Sequence, residues 1–435
     1  MNMYSTNACS TRSMCVTSSC HGVIVSIRQR LYPTEQVETQ LRGHCSHARF
    51  VWNLGLEHRS QYRPHRTLRL NLAAQMRELA LLRQCTPWLA VGSSSVQQQA
   101  LRDLDQAFQN WWENPGHFGR PTWRKAEQNE GFRVVGLQVR RSNRKWGEVQ
   151  VPKVGWVTFR LTRSWTDVAS CKSARVTLNR SGQWHVSFTA PQPAFNRAAT
   201  HQTVGLDLGI VTSIATSDGA LLAMPTLLSA GEAQRKRRLE RKRARQVLGS
   251  KRRGRTKRQI ATVCERESAR RKDWIEQTTT QLVGDYDVIA LEDLKITNMV
   301  RSAKGTAAHP GKNVRAKSGL NRSIQSQSWG LVRSRLEQKA LAATSPVEVV
   351  VVSARNTSRQ CQQCGSIAKE NRKSQAVFRC LTCGHQAHAD VNAAKNILAA
   401  GLAVTGRGGT PHREESQSRR SSSGPVKRQL AEVAG

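Results

Sequence analysis

Cys361-Gln-Gln-Cys364, then after fifteen residues Cys380-Leu-Thr-Cys383, then seven residues further on Asp390 at the head of a helical run: this stretch decides how the chain is read. Two CxxC pairs at that spacing predict a four-cysteine zinc ribbon over residues 359–385, because each tight knuckle supplies two thiolates. All four positions are cysteine, so no coordination site is left for water and the zinc is expected to be structural. A free-standing ribbon has no use for a carboxylate spliced directly behind it. Asp390 therefore sends the search upstream for carboxylate partners.

Two upstream segments supply them. Thr203-Val-Gly-Leu-Asp207-Leu-Gly reads as a buried strand running into a tight turn and a second strand, and Tyr286-Asp-Val-Ile-Ala-Leu-Glu292-Asp293 reads as a buried strand ending in acid. A single Asp at a strand turn is more often a cap or turn former than a ligand. Asp293 is accordingly expected to cap a helix, and Asp285 and Asp287 to shape a turn. Asp207, Glu292 and Asp390 differ in their order: strand–turn–strand, strand–acid, ribbon–acid–helix. Three hard oxygen ligands without a neighbouring histidine pair suit Mg²⁺ or Mn²⁺. Two such ions about 4 Å apart can activate a water and stabilise a phosphoryl transition state.

The bulk composition points to a substrate for such a site. The chain has 435 residues and a formal net charge of +38, an excess that calls for a polyanionic partner, nucleic acid above all. A ribosomal-type protein or a binder of acidic lipids would share that charge. Between Arg235 and Lys272 there are 18 Lys/Arg against Glu240, Glu265 and Glu267, and Gly249-Ser250 and Gly254 break this run into the arms of a basic helical hairpin, residues 232–275. Residues 301–325 carry Arg301, Lys304, Lys312, Arg315, Lys317 and Arg322 with no acid, as expected of a mobile loop touching a polyanion. In His117-Phe118-Gly119-Arg120-Pro121-Thr122-Trp123-Arg124-Lys125, aromatics alternate with cations. That pattern suits phosphate contact and base stacking, and equally a surface loop with two aromatic anchors in the core.

Seven of the 11 cysteines lie outside the ribbon without paired spacing, so a secreted disulfide framework is not expected. No apolar run reaches the length of a membrane span. Residues 1–22 lack the basic start and apolar centre of a secretory signal and read as a disordered extension, and 401–435 as a disordered basic tail.

The N-terminal half mixes two periodicities. Val23 to Leu31 alternates as a strand; Thr34 then caps a helix whose apolar face is Val37, Leu41, Cys45, Ala48 and Trp52. A second helix carries Leu68, Leu72, Met76 and Leu79, and a third follows the cap at Ser93–Ser95 with Val96, Ala100, Leu104, Phe108 and Trp111. From Gly131 to Ala190 the period is two, over several short runs separated by Gly and Asn turns, which suggests a small antiparallel barrel or sandwich. The first strand is expected to join it, making the helical lobe an insertion at about 34–125.

Five ordered segments carry a family resemblance: Arg30-Leu-Tyr-Pro-Thr34, Gly205-Leu-Asp-Leu-Gly-Ile210, Leu291-Glu-Asp-Leu294, Gln360-Cys-Gln-Gln-Cys-Gly365 and His388-Ala-Asp-Val-Asn-Ala-Ala-Lys-Asn-Ile397. Together, from about Val23 to Leu398, they resemble the TnpB (OrfB) family of insertion-sequence proteins, relatives of the type V CRISPR effectors. The resemblance implies a multidomain α/β chain. Residues 23–195 would form a β-barrel with an inserted helical lobe, and 201–358 with 386–400 an RNase H-like RuvC nuclease domain interrupted by the ribbon. It implies that Asp207, Glu292 and Asp390 bind catalytic Mg²⁺, that Cys361, Cys364, Cys380 and Cys383 bind zinc, and that the 301–325 loop is a lid. It further implies a cytoplasmic enzyme that cleaves double-stranded DNA beside a short transposon-adjacent motif, with a guide RNA from the transposon end. Nucleic-acid contacts are expected at Phe118, Arg120, Trp123, Arg124, Lys125, Arg301, Lys304, Lys312, Arg315 and Arg322.

Other classes fit less well. A nuclease-inactive RNA-guided repressor predicts a damaged acid triad, and all three acids are present. A transposase or transposase accessory protein lacks a recognisable tyrosine or serine recombinase signature, and none of the four tyrosines (Tyr4, Tyr32, Tyr62, Tyr286) sits by a His pair. A zinc-ribbon transcription factor leaves Asp207 and Glu292 without a role.

Overall fold

A computed structural model describes residues 24–61 and 71–406. The expected N-terminal extension, Leu68, Tyr4 and Tyr62, and the tail beyond 406 lie outside the described residues.

The chain divides into two compact units: residues 1–197, 225–280 and 341–345 in one, residues 198–224, 281–340 and 346–435 in the other. The first opens with strand β1 (Ile24–Arg30) and the helices α1 (Glu35–Ser60), α2 (Leu72–Cys85), α3 (Pro87–Val91) and α4 (Ser94–Glu113). Strands β2 (Gly131–Val135), β3 (Val139–Arg141), β4 (Trp146–Val151) and β5 (Gly155–Arg160), helix α5 (Trp165–Ala169), and strands β6 (Ser173–Leu178) and β7 (Trp184–Pro191) follow. The helices begin where their caps predict: Thr34 accepts a hydrogen bond from the Val37 amide, and Ser93 from the Val96 amide. The buried face of α1 includes Leu41, Cys45, Ala48 and Trp52, the three-and-four spacing read from the sequence.

The strands form two antiparallel sheets, one in the order β1-β7-β6-β2 and one in the order β3-β4-β5, with a single bridge between Leu31 and Phe159. They do not close into a barrel. Helices α1 to α4 lie in the chain between β1 and β2, which are both members of the first sheet. Inward residues of both sheets (Val149, Phe159, Val186, Phe188) share a single buried cluster with Leu41 and Leu101 of the helices.

The basic hairpin is α6 (Ala230–Ala244) and α7 (Lys251–Asp285). The break falls at 245–250 alone; Gly254 lies inside α7, where one helical glycine costs only about 1 kcal/mol and is carried by a long helix. Three of its acids are engaged within the first unit: Glu232 on Arg270, Glu267 on Lys236 and Arg271, Glu265 on Asn179 and Ser181.

The second unit is built on strands β8 (Thr203–Asp207), β9 (Ile214–Thr216), β10 (Leu221–Leu222), β11 (Val288–Glu292) and β12 (Glu348–Val352), in the order β10-β9-β8-β11-β12. β8, β11 and β12 are parallel; β9 turns back antiparallel to β8, and β10 antiparallel to β9. Around them lie α8 (Ile296–Met299), α9 (Val314–Gln327), α10 (Trp329–Ala342) and, after the two ribbon strands β13 (Val377–Arg379) and β14 (Gln386–His388), α11 (Ala389–Gly406).

Three expectations are corrected here. The segment read as one mobile loop at 301–325 is helical from Val314, because Ile324 is buried even though the surrounding Ser, Asn and Gly residues have weak helix propensity. The segment read as tail from 401 is helical to Gly406, since α11 continues there with Gly401 buried. Asp293 caps no helix: it pairs with Lys295 and Arg333, and the residue at the N-cap of α8 is Lys295.

Candidate active site and zinc ribbon

Strand register brings two of the acids together. β8 and β11 are parallel and pair Leu206 with Leu291, so Asp207 and Glu292, one residue further on, leave the sheet side by side at the same end. Side chains alternate along a strand, which puts Asp207 on the face of Gly205 and Glu292 on the face of Ala290. Gly205 pairs with Ala290 across the ladder, so both lie on one face, which α11 covers. A Cβ on Gly205 would lie 2.1 Å from the Ala394 carbonyl oxygen, so only glycine lets the helix come this close, and Ala290 shares a buried cluster with Ile397. Asp390 stands one turn before Ala394 on that helix and is buried.

The charges of Glu292 and Asp390 both act on Asp207. The Asp207 carboxyl is pushed up from its ordinary 3.8 to about 7, first by burial and then by the charges of Glu292 and Asp390. Burial also raises Glu292, opposed by a hydrogen bond from the Thr357 hydroxyl and by the charge of Arg372. A set of hard oxygen donors in which the charges of Glu292 and Asp390 raise Asp207 suits a divalent cation of the Mg²⁺ type, which would remove that repulsion. The residues present fit such an ion.

Arg372 is the residue that sequence reading missed. It follows a 3-10 turn between the cysteine pairs (Lys369–Asn371), and its guanidinium donates to Asp390 at 2.7 Å. Its charge also acts on Asp207 and Glu292. Nothing in the local sequence distinguishes it from its neighbour Lys373.

The ribbon has the geometry its spacing predicts. The four sulfurs lie within 4.8 Å of one another, with Cys361–Cys383 at 3.7 Å and Cys364–Cys380 at 3.6 Å. A tetrahedron with Zn–S bonds of about 2.3 Å has edges of roughly 3.8 Å, so the thiolates are set for zinc. The two knuckles repeat one design: Gly365 (φ 74°) returns its amide to the Cys361 carbonyl, and Gly384 (φ 71°) to that of Cys380. Backbone amides of Cys383 and Thr382 lower the Cys380 thiol to about 6, favouring the thiolate that a metal needs.

The expected nucleic-acid residues divide in two. Residues 117–125 are pinned to α1: the Trp52 indole donates to the Thr122 carbonyl, and Asn53 exchanges two hydrogen bonds with the Arg124 backbone. Arg124 stacks 3.6 Å from the centre of the Trp52 ring and is occupied there. Phe118 and Trp123 are not core anchors, at 41% and 54% exposed, and Arg120 and Lys125 are exposed beside them. Arg301, Lys304, Lys312, Arg315 and Arg322 are likewise exposed.

A mixed five-stranded sheet with Asp207 and Glu292 side by side at one end, and a four-cysteine ribbon inserted before the helix that carries Asp390, defines a ribbon-bearing α/β protein. The chain belongs to the TnpB (OrfB) family of insertion-sequence proteins. Family models match residues 185–303 ("Probable transposase"), 329–397 ("Cas12f1-like, TNB domain") and 24–66 ("Helix-turn-helix domain"). The "Putative RNA-guided DNA endonuclease InsQ" of Escherichia coli is 34% identical over 86% of this chain and 92% of its own length. A "Putative RNA-guided DNA endonuclease" of Streptomyces pristinaespiralis is 29% identical over 91% and 94%. Among solved structures, a Cas12f1–sgRNA–target DNA complex aligns with 86% of this chain and 98% of the matched chain, at 13% identity and a TM-score of 0.48.

Proposed function

We propose that this protein is an RNA-guided, Mg²⁺-dependent DNA endonuclease of an insertion sequence, acting in the cytoplasm on the nucleoid. Its target is double-stranded DNA beside a short transposon-adjacent motif, and its guide is RNA from the transposon end. One observation supports the reading: parallel pairing of Leu206 with Leu291 sets Asp207 beside Glu292, and α11, which opens with Asp390, packs against Gly205 of the same strand end. The sheet order β10-β9-β8-β11-β12, in which β9 alone runs against the other four strands, supports an RNase H-like core. The names of the relatives support the activity.

In this reading Asp207, Glu292 and Asp390 would hold the divalent ions, which would supply an activated water and stabilise the charge on the phosphate. Arg372 holds Asp390 and offsets part of the carboxylate charge before substrate arrives. The ribbon fixes the chain that carries Arg372, with Cys361 and Cys380 buried on its inner side. The loop of residues 301–313, with α9 behind it, would cover the site as a lid. Cations at Arg120, Lys125, Arg301, Lys304, Lys312, Arg315 and Arg322 would meet phosphates, and Phe118 and Trp123 would stack on bases.

The test is to copurify the protein with RNA transcribed from the DNA flanking its gene and to assay a matching plasmid with Mg²⁺. Guide-dependent cleavage abolished by Asp207→Ala is the expected result. Cleavage that survives that change overturns the site, and cleavage without guide overturns the RNA-guided reading.

A further inference from the structure

Glu292 reaches the site on a longer, more flexible side chain than the two aspartates, and fixing a glutamate costs on the order of 1.5–2 kcal/mol of rotamer freedom. The hydrogen bond that holds its carboxylate comes from Thr357, a residue 6% exposed in the segment between β12 and the first knuckle. We infer that Thr357 is a positioning residue for metal binding, held by α11 so that Glu292 and Asp390 are set as one unit. The inference rests on the nuclease reading of the three acids.

The geometry runs through two buried asparagines. Asn396 of α11 donates to the Thr357 carbonyl at 2.9 Å and to the Gln360 carbonyl at 2.7 Å. One turn earlier Asn392 donates to the same Gln360 carbonyl at 2.8 Å and accepts from the Gln362 amide at 3.1 Å. Asn392 is fully buried and Asn396 nearly so. Two side chains at i and i+4 thus clamp residues 357–362, and Asp390 lies on the same helix two residues before Asn392. The backbone of Thr357 cannot shift without breaking buried hydrogen bonds. Its hydroxyl therefore presents Glu292 at a fixed place relative to Asp390. The clamp also grips the chain on either side of Cys361, so the zinc knuckle and the carboxylate share one support. Groups that orient a metal ligand are typically worth about 10- to 100-fold in metal affinity.

The test uses the guide-bound protein with zinc retained. Thr357→Val keeps the side-chain shape and removes the hydroxyl; Thr357→Ser keeps the hydroxyl. Mn²⁺ binding is followed by titration calorimetry, with the Asp207→Ala complex as the baseline for ions held by RNA. Thr357→Val is expected to bind Mn²⁺ about 10- to 100-fold more weakly, with zinc content and target binding unchanged. Its cleavage should fall at limiting Mg²⁺ and recover at saturating Mg²⁺, and Thr357→Ser should match wild type. Undiminished Mn²⁺ affinity in Thr357→Val overturns the inference alone, as does an equal defect in Thr357→Ser, which would mean packing rather than hydrogen bonding. A wild-type complex that binds no more Mn²⁺ than Asp207→Ala overturns the acid site and the inference together.

Discussion

The guanidinium of Arg372 donates to a carboxylate oxygen of Asp390 across 2.7 Å, tying the loop between the two cysteine pairs to the acid that opens α11. The ribbon therefore contributes a cation to the site as well as a brace. Arg372 lowers the pKa of Asp207 and of Glu292, so its removal raises both further. Arg372→Ala should move the acid limb of the cleavage profile to higher pH and reduce cleavage near pH 7 by about 10- to 100-fold, with less effect near pH 9. Plasmid cleavage rates across that range at fixed Mg²⁺ check this; an unshifted profile would remove Arg372 from the site.

Asp207 makes stability depend on pH and metal. Its pKa is about 7 in the folded protein against an ordinary 3.8, so the folded state holds a proton that the unfolded state has released. Stability from this group falls as pH rises from about 4 to about 7, by roughly 4 kcal/mol in the absence of divalent ions. Asp207→Asn should therefore raise the melting temperature by several degrees near pH 8 in chelator and give no gain near pH 4. Added Mn²⁺ should stabilise wild type and leave Asp207→Asn unmoved. Thermal melts at the two pH values, with and without Mn²⁺, are sufficient.

Zinc loss should be felt beyond the ribbon. Cys361 is fully buried, and the Gln360 carbonyl and Gln362 amide on either side of it are bound by α11. Cys361→Ser should lower zinc content, measured by plasma mass spectrometry, and lose C-terminal stability together with cleavage. A variant that keeps full activity and stability would show the ribbon to be dispensable.

Gly205 sets the approach of α11 to β8. Gly205→Ala places a methyl 2.1 Å from the Ala394 oxygen, so the helix must move outward and take Asp390 with it. The cost should be about 1–3 kcal/mol in urea unfolding, with cleavage falling more steeply than target binding.

The segment at 117–125 should separate structure from recognition. Arg124 is engaged with Trp52, so Arg124→Ala should cost stability of about 0.5–2 kcal/mol. Arg120→Ala with Lys125→Ala should leave melting unchanged, weaken RNA binding and flatten its salt dependence.

The legible parts of the molecule were those whose signal is local. The cap at Thr34, the apolar stripe of α1 and the alternation in β4 to β7 follow from backbone geometry over a few residues, and the structure places them where the periodicity does. The cysteine knuckles are legible for the same reason, since a CxxC pair fixes its own turn. Helix α9 was not, because its composition favours a loop and burial of Ile324 overrides it. The strands of the N-terminal half, β3 apart, were legible one by one, but not their division into two sheets, since pairing is chosen between distant segments.

By itself the sequence determined the chemistry available: three carboxylates at the ends of apolar runs, four thiolates on two knuckles, and a +38 charge that selects a polyanion. Tertiary structure decided which groups act on one another. Parallel pairing of β8 with β11 sets Asp207 beside Glu292, the bare face of Gly205 admits α11 with Asp390, and folding back of the ribbon brings Arg372 and Thr357 to the acids. Those contacts join residues far apart in the chain, and no short-range spacing encodes them, because each depends on the packing of a complete layer of helix upon sheet.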